Sequence, residues 1–222
     1  MSVEAVRIAA AAINLAEDRR PLIAAVGGDA GRAKQAALEF ADAGVAGLVS
    51  FGIAGGLDPR LAAGDIVLAE TVWQPDGTAV PTHAVWRQSV TEIFGRTLQS
   101  FAESIAGMDS AAVTAADKAK LRTLTGAAAV DMESHGVAAA ALEAGLPLLA
   151  VRAIADPASR SVPRAALAGI GPDGERKPFA VLARLLANPA ELPALIRVAR
   201  DSNAALKSLS VAAPHVLRTM PD

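Results

Sequence analysis

The chain of 222 residues contains no cysteine and no tyrosine, only three histidines, and 3% aromatic residues. Without cysteine there are no disulfides and no thiolate metal ligands. Three scattered histidines do not make a metal site, so none is expected. Charge of one sign is also lacking: the net charge is −2, which gives no reason to expect a nucleic-acid partner. No run is apolar for long enough to cross a bilayer. Residues Ile8 to Ala16 are mostly alanine, follow Glu4 and Arg7, and lead into Glu17-Asp18-Arg19-Arg20. That pattern fits an amphipathic helix better than a secretion signal, and a cytoplasmic protein is the default.

What is present is a large apolar fraction, 52% hydrophobic against 20% charged, enough for a sizeable core. Much of it is alanine, which allows close helix packing but blurs periodicity. Ser2 to Ala16 reads as a helix. Leu22 to Val26 reads as a short buried strand ending at Gly27-Gly28, with Asp29 capping a helix from Ala30 to Ala43. Gly44 stops that helix. A strand from Val45 to Phe51 then enters the turn Gly52-Ile53-Ala54-Gly55-Gly56, completing a βαβ pattern. Asp65 to Val72 is a further strand, and Trp73 to Gln88 a long loop or hairpin. Ser89 to Ile105 reads as a helix, Ala111 to Thr114 as a weak strand, and Asp117 to Leu124 as a helix.

The most informative stretch is Ala128 to Asp156. Val130-Asp131-Met132-Glu133 reads as a strand end, and an alanine-rich helix runs from about Met132 to a stop at Gly145. A second strand covers Leu148 to Ile154. Joined by a helix, the two strands read as parallel, so their ends share the carboxyl edge of the sheet, where open α/β sheets bind ligands. Glu133 and Asp156 would then open into one crevice. Asp156 to Lys177 is loop-like, and helices over Phe179 to Leu186 and Leu192 to Leu209 follow, separated by Asn188-Pro189. No internal repeat or linker is visible, so a single domain over 1–222 is the simplest organisation, with 157–222 a loop plus terminal helices.

The glycine-rich turn lacks the dinucleotide spacing and the lysine of a P-loop. Four motifs in order nevertheless carry a resemblance: Gly52-Ile53-Ala54-Gly55-Gly56, Gly64-Asp65-Ile66-Val67, Val130-Asp131-Met132-Glu133 and Arg152-Ala153-Ile154-Ala155-Asp156. Together they resemble the purine/uridine nucleoside phosphorylase and nucleosidase family, from about Leu22 to Asp156. The resemblance implies a three-layer α/β/α fold with a central twisted mixed sheet. The strand that opens the family's fold has no counterpart here.

For chemistry the resemblance implies cleavage of an N-glycosidic bond without a cofactor, with phosphate as co-substrate if the reaction is phosphorolytic. Asp156 matches the acid that protonates the departing purine, a role that needs a raised pKa. Glu133 matches the acceptor for the ribose hydroxyls and Met132 the residue packed on the sugar. Gly52, Ala54 and Gly55 match the turn that approaches the ligand, and Arg152 the arginine of the nucleosidase branch, four residues before Asp156 on one strand face. Glu4, within Ser2-Val3-Glu4-Ala5-Val6, resembles the glutamate that activates water. Ser50 and Ile53 stand where phosphorylases hold phosphate, and an isoleucine offers phosphate no hydrogen bond, which favours water. Gly27-Gly28-Asp29 with Arg32 retains some anion-binding character at a helix start. His83, Trp73, Trp86 and His135 are candidates for the 5′ side, for a subunit contact or for plain packing.

The variant Asp131-Met132-Glu133-Ser134-His135, with Phe51-Gly52-Ile53, looks most like the hopanoid-associated branch, which is assigned to removing adenine from adenosylhopane. That implies a nucleoside substrate carrying a lipid. From Arg160 to Lys207 eight bases face four acids, a composition suited to a peripheral contact with an anionic membrane. Family resemblance also implies a homo-oligomer.

Overall fold

The computed structural model of the chain describes residues 3–12, 20–95, 97–163 and 187–221. In order these form α1 (Val3–Ala12), α2 (Ala30–Asp42), β1 (Leu48–Gly56), β2 (Ile66–Trp73), β3 (Ala79–Pro81), α3 (Ala84–Phe94) and β4 (Ser100–Gly107). Then come α4 (Ala115–Thr125), β5 (Ala129–Asp131), α5 (Ser134–Ala144), β6 (Leu148–Asp156), a 3-10 turn (Pro189–Glu191) and α6 (Leu192–Arg218). No helix among them is long and apolar enough to cross a membrane.

The strands form one mixed sheet in the order β3-β2-β4-β5-β1-β6, and an additional β2–β6 pairing bends it back on itself. Strand alternation sorts the core into two layers. Leu148, Ala150 and Ile154 of β6 and Val67 and Ala69 of β2 face a cluster containing Ala37 of α2 and Ala138 and Ala141 of α5. Their neighbours Leu149, Val151, Ala153, Ile66 and Leu68 face Trp86, Val90 and Phe94 of α3 and Ala205, Leu209, Ala212 and Val216 of α6. The fold is therefore the expected mixed sheet between helical layers. The spacing of 205, 209, 212 and 216 is the apolar stripe of a helix laid on a sheet.

Local chemistry sets several boundaries. The Asp29 carboxylate accepts from the Arg32 amide at 2.9 Å and caps α2. Thr114 and Asp117 form a reciprocal capping box at the start of α4. Gly145 takes the left-handed conformation that ends α5 (φ 64°). Helices α2 and α5 touch where α5 has Gly136, because a methyl group there would overlap the Ala30 carbonyl.

Several expectations change. Leu22 to Val26 joins no strand, and Leu22 is half exposed, so no βαβ unit forms around α2. The glycine-rich segment is not a turn. Gly52 to Gly56 lies within β1, parallel to β6 along its length and antiparallel to β5 at its end. Strands β5 and β6 consequently run in opposite senses, and α5 is not a parallel crossover. The expected helix over Ser89 to Ile105 stops at Phe94, with Gly95 as its C-cap. Residues 100–107 instead form β4, paired with β2 and β5. Ala111 to Thr114 is not a strand. The hairpin expected after Trp73 exists as β2–β3, turning at Gly77. The final helix extends beyond Leu209 to Arg218, while the helix expected at Phe179 to Leu186 lies outside the described residues.

Gly136→Ala should separate α2 from α5 and destabilise the protein by about 1–3 kcal/mol through overpacking. Urea unfolding checks this. An unchanged midpoint would mean the contact is loose.

Candidate functional site

The site is built around a strand with little side chain. β1 presents Gly52 and Gly55 beside β6, where Gly52 pairs with Arg152 and Gly55 with Asp156. A Cβ on Gly52 would lie 2.7 Å from the Arg152 Nη1. One on Gly55 would lie 3.3 Å from the Asp156 Oδ2. The two groups thus sit three strand residues apart along β1, roughly 10 Å.

Arg152 is 2% exposed. Its Nε donates to Asp131 Oδ2, and its Nη2 donates to Ser50 Oγ at 2.7 Å and lies 3.7 Å from Glu133 Oε2. Asp131 in turn accepts from the Ser134 hydroxyl at 2.6 Å and from the Ser134 amide. Ser50 and Ser134 share a hydrogen bond at 3.2 Å. A buried guanidinium survives because carboxylates and hydroxyls surround it. Arg152 therefore lies beneath the site, and the Ser50 hydroxyl is committed to it.

Glu133 lies two residues past the end of β5 and is the N-cap residue of α5, though its side chain makes no capping bond. Its carboxylate stands between Arg152 and the Gly27-Gly28 bend. A Cβ on Gly28 would lie 3.8 Å from Glu133 Oε1 and 4.0 Å from Met132 Cε. The close α2–α5 crossing brings that bend here. With its side chain 27% exposed, the Glu133 carboxylate is accessible to a ligand.

Asp156 ends β6 with its side chain 20% exposed. Its partner is Lys118 of α4, whose side chain is fully buried and whose Nζ donates to Asp156 Oδ2. The same Nζ reaches the carbonyls of Asp156 (3.2 Å), Pro157 (3.1 Å) and Arg160 (2.9 Å). Burial pushes the Asp156 carboxyl above the ordinary carboxylate range, against the downward pull of Lys118. Helix α4 is fixed at its start by the Thr114 box and near its end by Arg122, which donates to Asp58 at 2.7 Å. Asp58 is itself gripped by Arg60, whose hydrogen bonds hold its carboxyl below the usual range.

Of the other expected residues, Ala54 turns its methyl into the core, and Gly52 is buried. The β1 backbone at Gly55 lies nearest the Asp156 carboxyl. Ile53 is 36% exposed. His83 accepts from the Trp86 amide and caps α3, and Trp86 is core, donating to Thr219 Oγ1 at 3.1 Å. Trp73 packs against Leu57, Ala106 and Val130. His135 is buried beneath Gly107 with Nε2 3.1 Å from Asp109 Oδ1. Glu4 stands on α1, which packs against α6; its side chain lies outside the described residues. Sequence reasoning missed Lys118 and the Asp131–Ser134 pair. The Asp-x-x-Ser spacing before a helix was the available signal for the latter.

Comparison with known proteins agrees with this architecture. The family model described as phosphorylase superfamily matches residues 20–187. No curated protein sequence matches the chain. Among solved structures, a 5′-methylthioadenosine/S-adenosylhomocysteine nucleosidase from Colwellia psychrerythraea, in complex with adenine, superposes with TM-score 0.64 at 20% identity. The match covers 88% of this chain and 75% of that one. An S-adenosylhomocysteine nucleosidase from Streptococcus pyogenes, in complex with 5-methylthiotubericidin, gives 0.65 at 18%, over 89% and 77%. Futalosine hydrolase of Helicobacter pylori gives 0.55 at 21%, over 59% and 65%. At these identities what is shared is the fold.

Asp131→Ala would leave Arg152 buried with Glu133 as its remaining carboxylate. A loss of about 3 kcal/mol is expected, the lower end for a broken buried pair. Thermal and urea unfolding measure it, and a loss within experimental error would show that Arg152 does not depend on Asp131.

Proposed function

The chain belongs to the phosphorylase superfamily, as a nucleosidase or nucleoside phosphorylase, and we propose that it releases adenine from a 5′-substituted adenine nucleoside. The observation that carries this reading is the contrast between two carboxylates flanking β1. Asp156 is biased toward its protonated form by burial. Glu133 stands 3.7 Å from the Arg152 guanidinium with its side chain 27% exposed. Two carboxyl groups in such different surroundings suit one acid and one hydrogen-bond acceptor.

Cleavage passes through an oxocarbenium-like sugar. The electron pair of the glycosidic bond goes to the base, and a proton from Asp156 meets it at N7, so adenine leaves neutral. Glu133 accepts from the vicinal hydroxyls of the ribose, for which a carboxylate has the capacity. Met132 packs beside the sugar. Water as nucleophile is supported by Ser50, whose hydroxyl is held by Arg152 and Ser134, and by the apolar Ile53. The finer reading is a lipid-linked substrate, adenosylhopane. It draws on the resemblance of the Asp131 to His135 string and on α6, where Leu192 and Ile196 are exposed beside Arg197 and Arg200. That face suits delivery from an anionic bilayer.

Adenine release from 5′-substituted adenosines, followed with and without phosphate, tests the proposal. Equal rates, with free sugar as the second product, are expected. A sugar 1-phosphate would contradict the role of water, and no release from any such nucleoside would contradict cleavage. Asp156→Asn should lower kcat by roughly 10²–10⁴-fold, the usual worth of a general acid, while the ligand still binds. Unchanged turnover would remove Asp156 from the mechanism.

A further inference from the structure

A buried lysine needs a reason, and Lys118 has no exposed surface at all. It sits on α4 between Asp117 and Lys120, whose side chains lie outside the core. Its ammonium has three protons and four oxygen neighbours: the Asp156 carboxyl Oδ2 and the carbonyls of Asp156, Pro157 and Arg160. All four oxygens belong to the exit of β6. The loop they form is fastened elsewhere too. Val162 donates to the Val113 carbonyl at 2.9 Å, Ser161 Oγ accepts from the Ala115 amide, and Arg160 pairs with Asp201 of α6. If Lys118 served only to hold the loop, the three carbonyls would already use its three protons. Its contact with Oδ2 is additional, and it leaves Oδ1 without a hydrogen bond among the described residues.

We propose that Lys118 is the positioning residue for the acid: its ammonium fixes Oδ2 of Asp156, so that the transferable proton resides on Oδ1. This rests on the function proposed above. When the proton passes from Oδ1 to N7 of the base, the glycosidic electron pair moves onto the base and a carboxylate appears on Asp156. That new charge forms against a cation already in place, with no reorganisation. Lys118 therefore makes a buried carboxyl a better donor than burial alone allows. The surroundings leave this task to it. Gly55 of β1 lies against Asp156 and, like its other neighbour Val130 of β5, brings no charge, Arg160 on the loop is engaged by Asp201, and Glu133 is held beside Arg152.

The sign of the effect follows. Activity needs Asp156 protonated, so release falls as pH rises through its pKa. Removing the cation removes a downward pull, and the alkaline limb moves up. In Lys118→Met and Lys118→Gln, this limb of kcat should rise by about 1–3 pH units, as for a carboxyl losing a close opposite charge. At the optimum kcat should fall roughly tenfold or more, with KM within about twofold because Lys118 does not touch substrate. A loss of activity with an unmoved limb would make Lys118 a loop staple and overturn the proposal.

Because either variant can fail to fold, a second measurement uses the wild-type protein. With ¹⁵N-labelled lysine, the Lys118 Nζ resonance should titrate with the midpoint of the alkaline limb and shift when adenine binds. A resonance indifferent to both would equally overturn the proposal. Absence of adenine release by the wild type is a separate result, which would count against the function and not against the coupling of Lys118 to Asp156.

Discussion

The structure depends on space left empty on β1. Glycines at 52 and 55 let the backbone of a central strand lie against two ionic groups of its neighbour β6, the Arg152 guanidinium and the Asp156 carboxyl. Glycine inside a strand ordinarily weakens it, because it packs nothing and loses more entropy on ordering. Here parallel pairing with β6 along the strand compensates, and the vacant volume holds charge. Side chains at these positions would displace the groups that define the site.

Charge is then sorted between two buried cations. Arg152 is paired with Asp131 and hydrogen-bonded to Ser50, and it meets the lip of the site at Glu133. Lys118, also buried, reaches the lip through Asp156. Each accessible carboxylate thus leans on a buried positive group, yet the two environments differ. Glu133 lies at 3.7 Å beside a cation already paired elsewhere, while Asp156 is desolvated enough for burial to outweigh its lysine. These two settings follow from where the helices α4 and α5 begin. Both beginnings are set by short polar side chains, Thr114 with Asp117 and Asp131 with Ser134.

Much of this was legible in the residues. Asp29, Gly44 and Gly145 mark helix ends by rules that act locally, and β2, α2, α5 and β6 lie close to where the pattern puts them. The motifs pointed to the family, which the match over residues 20–187 bears out. What resisted reading depends on distant parts of the chain. Residues 100–107 mix serine, glutamate and alanine without strong alternation, and they become a strand because β2 and β5 lie on either side. Leu22 to Val26 looks like a buried strand but has no partner. The antiparallel relation of β5 and β1 is a matter of topology that no local pattern encodes. Lys118 is flanked by Asp117, Lys120 and Arg122, so it reads as one more residue on a solvated helix face. Its burial exists only once the loop after Asp156 folds over it.

The central claim is that Asp156 and Glu133 serve one ligand across the bare backbone of β1. The most direct measurement is a crystal structure of the Asp156→Asn protein with an intact 5′-substituted adenine nucleoside bound. The expected result has N7 of the base within hydrogen-bond distance of residue 156 and the 2′- and 3′-hydroxyls on Glu133, with the nucleoside lying along β1 between Gly55 and Gly52. A nucleoside bound elsewhere, or one touching only one of the two positions, would contradict the account.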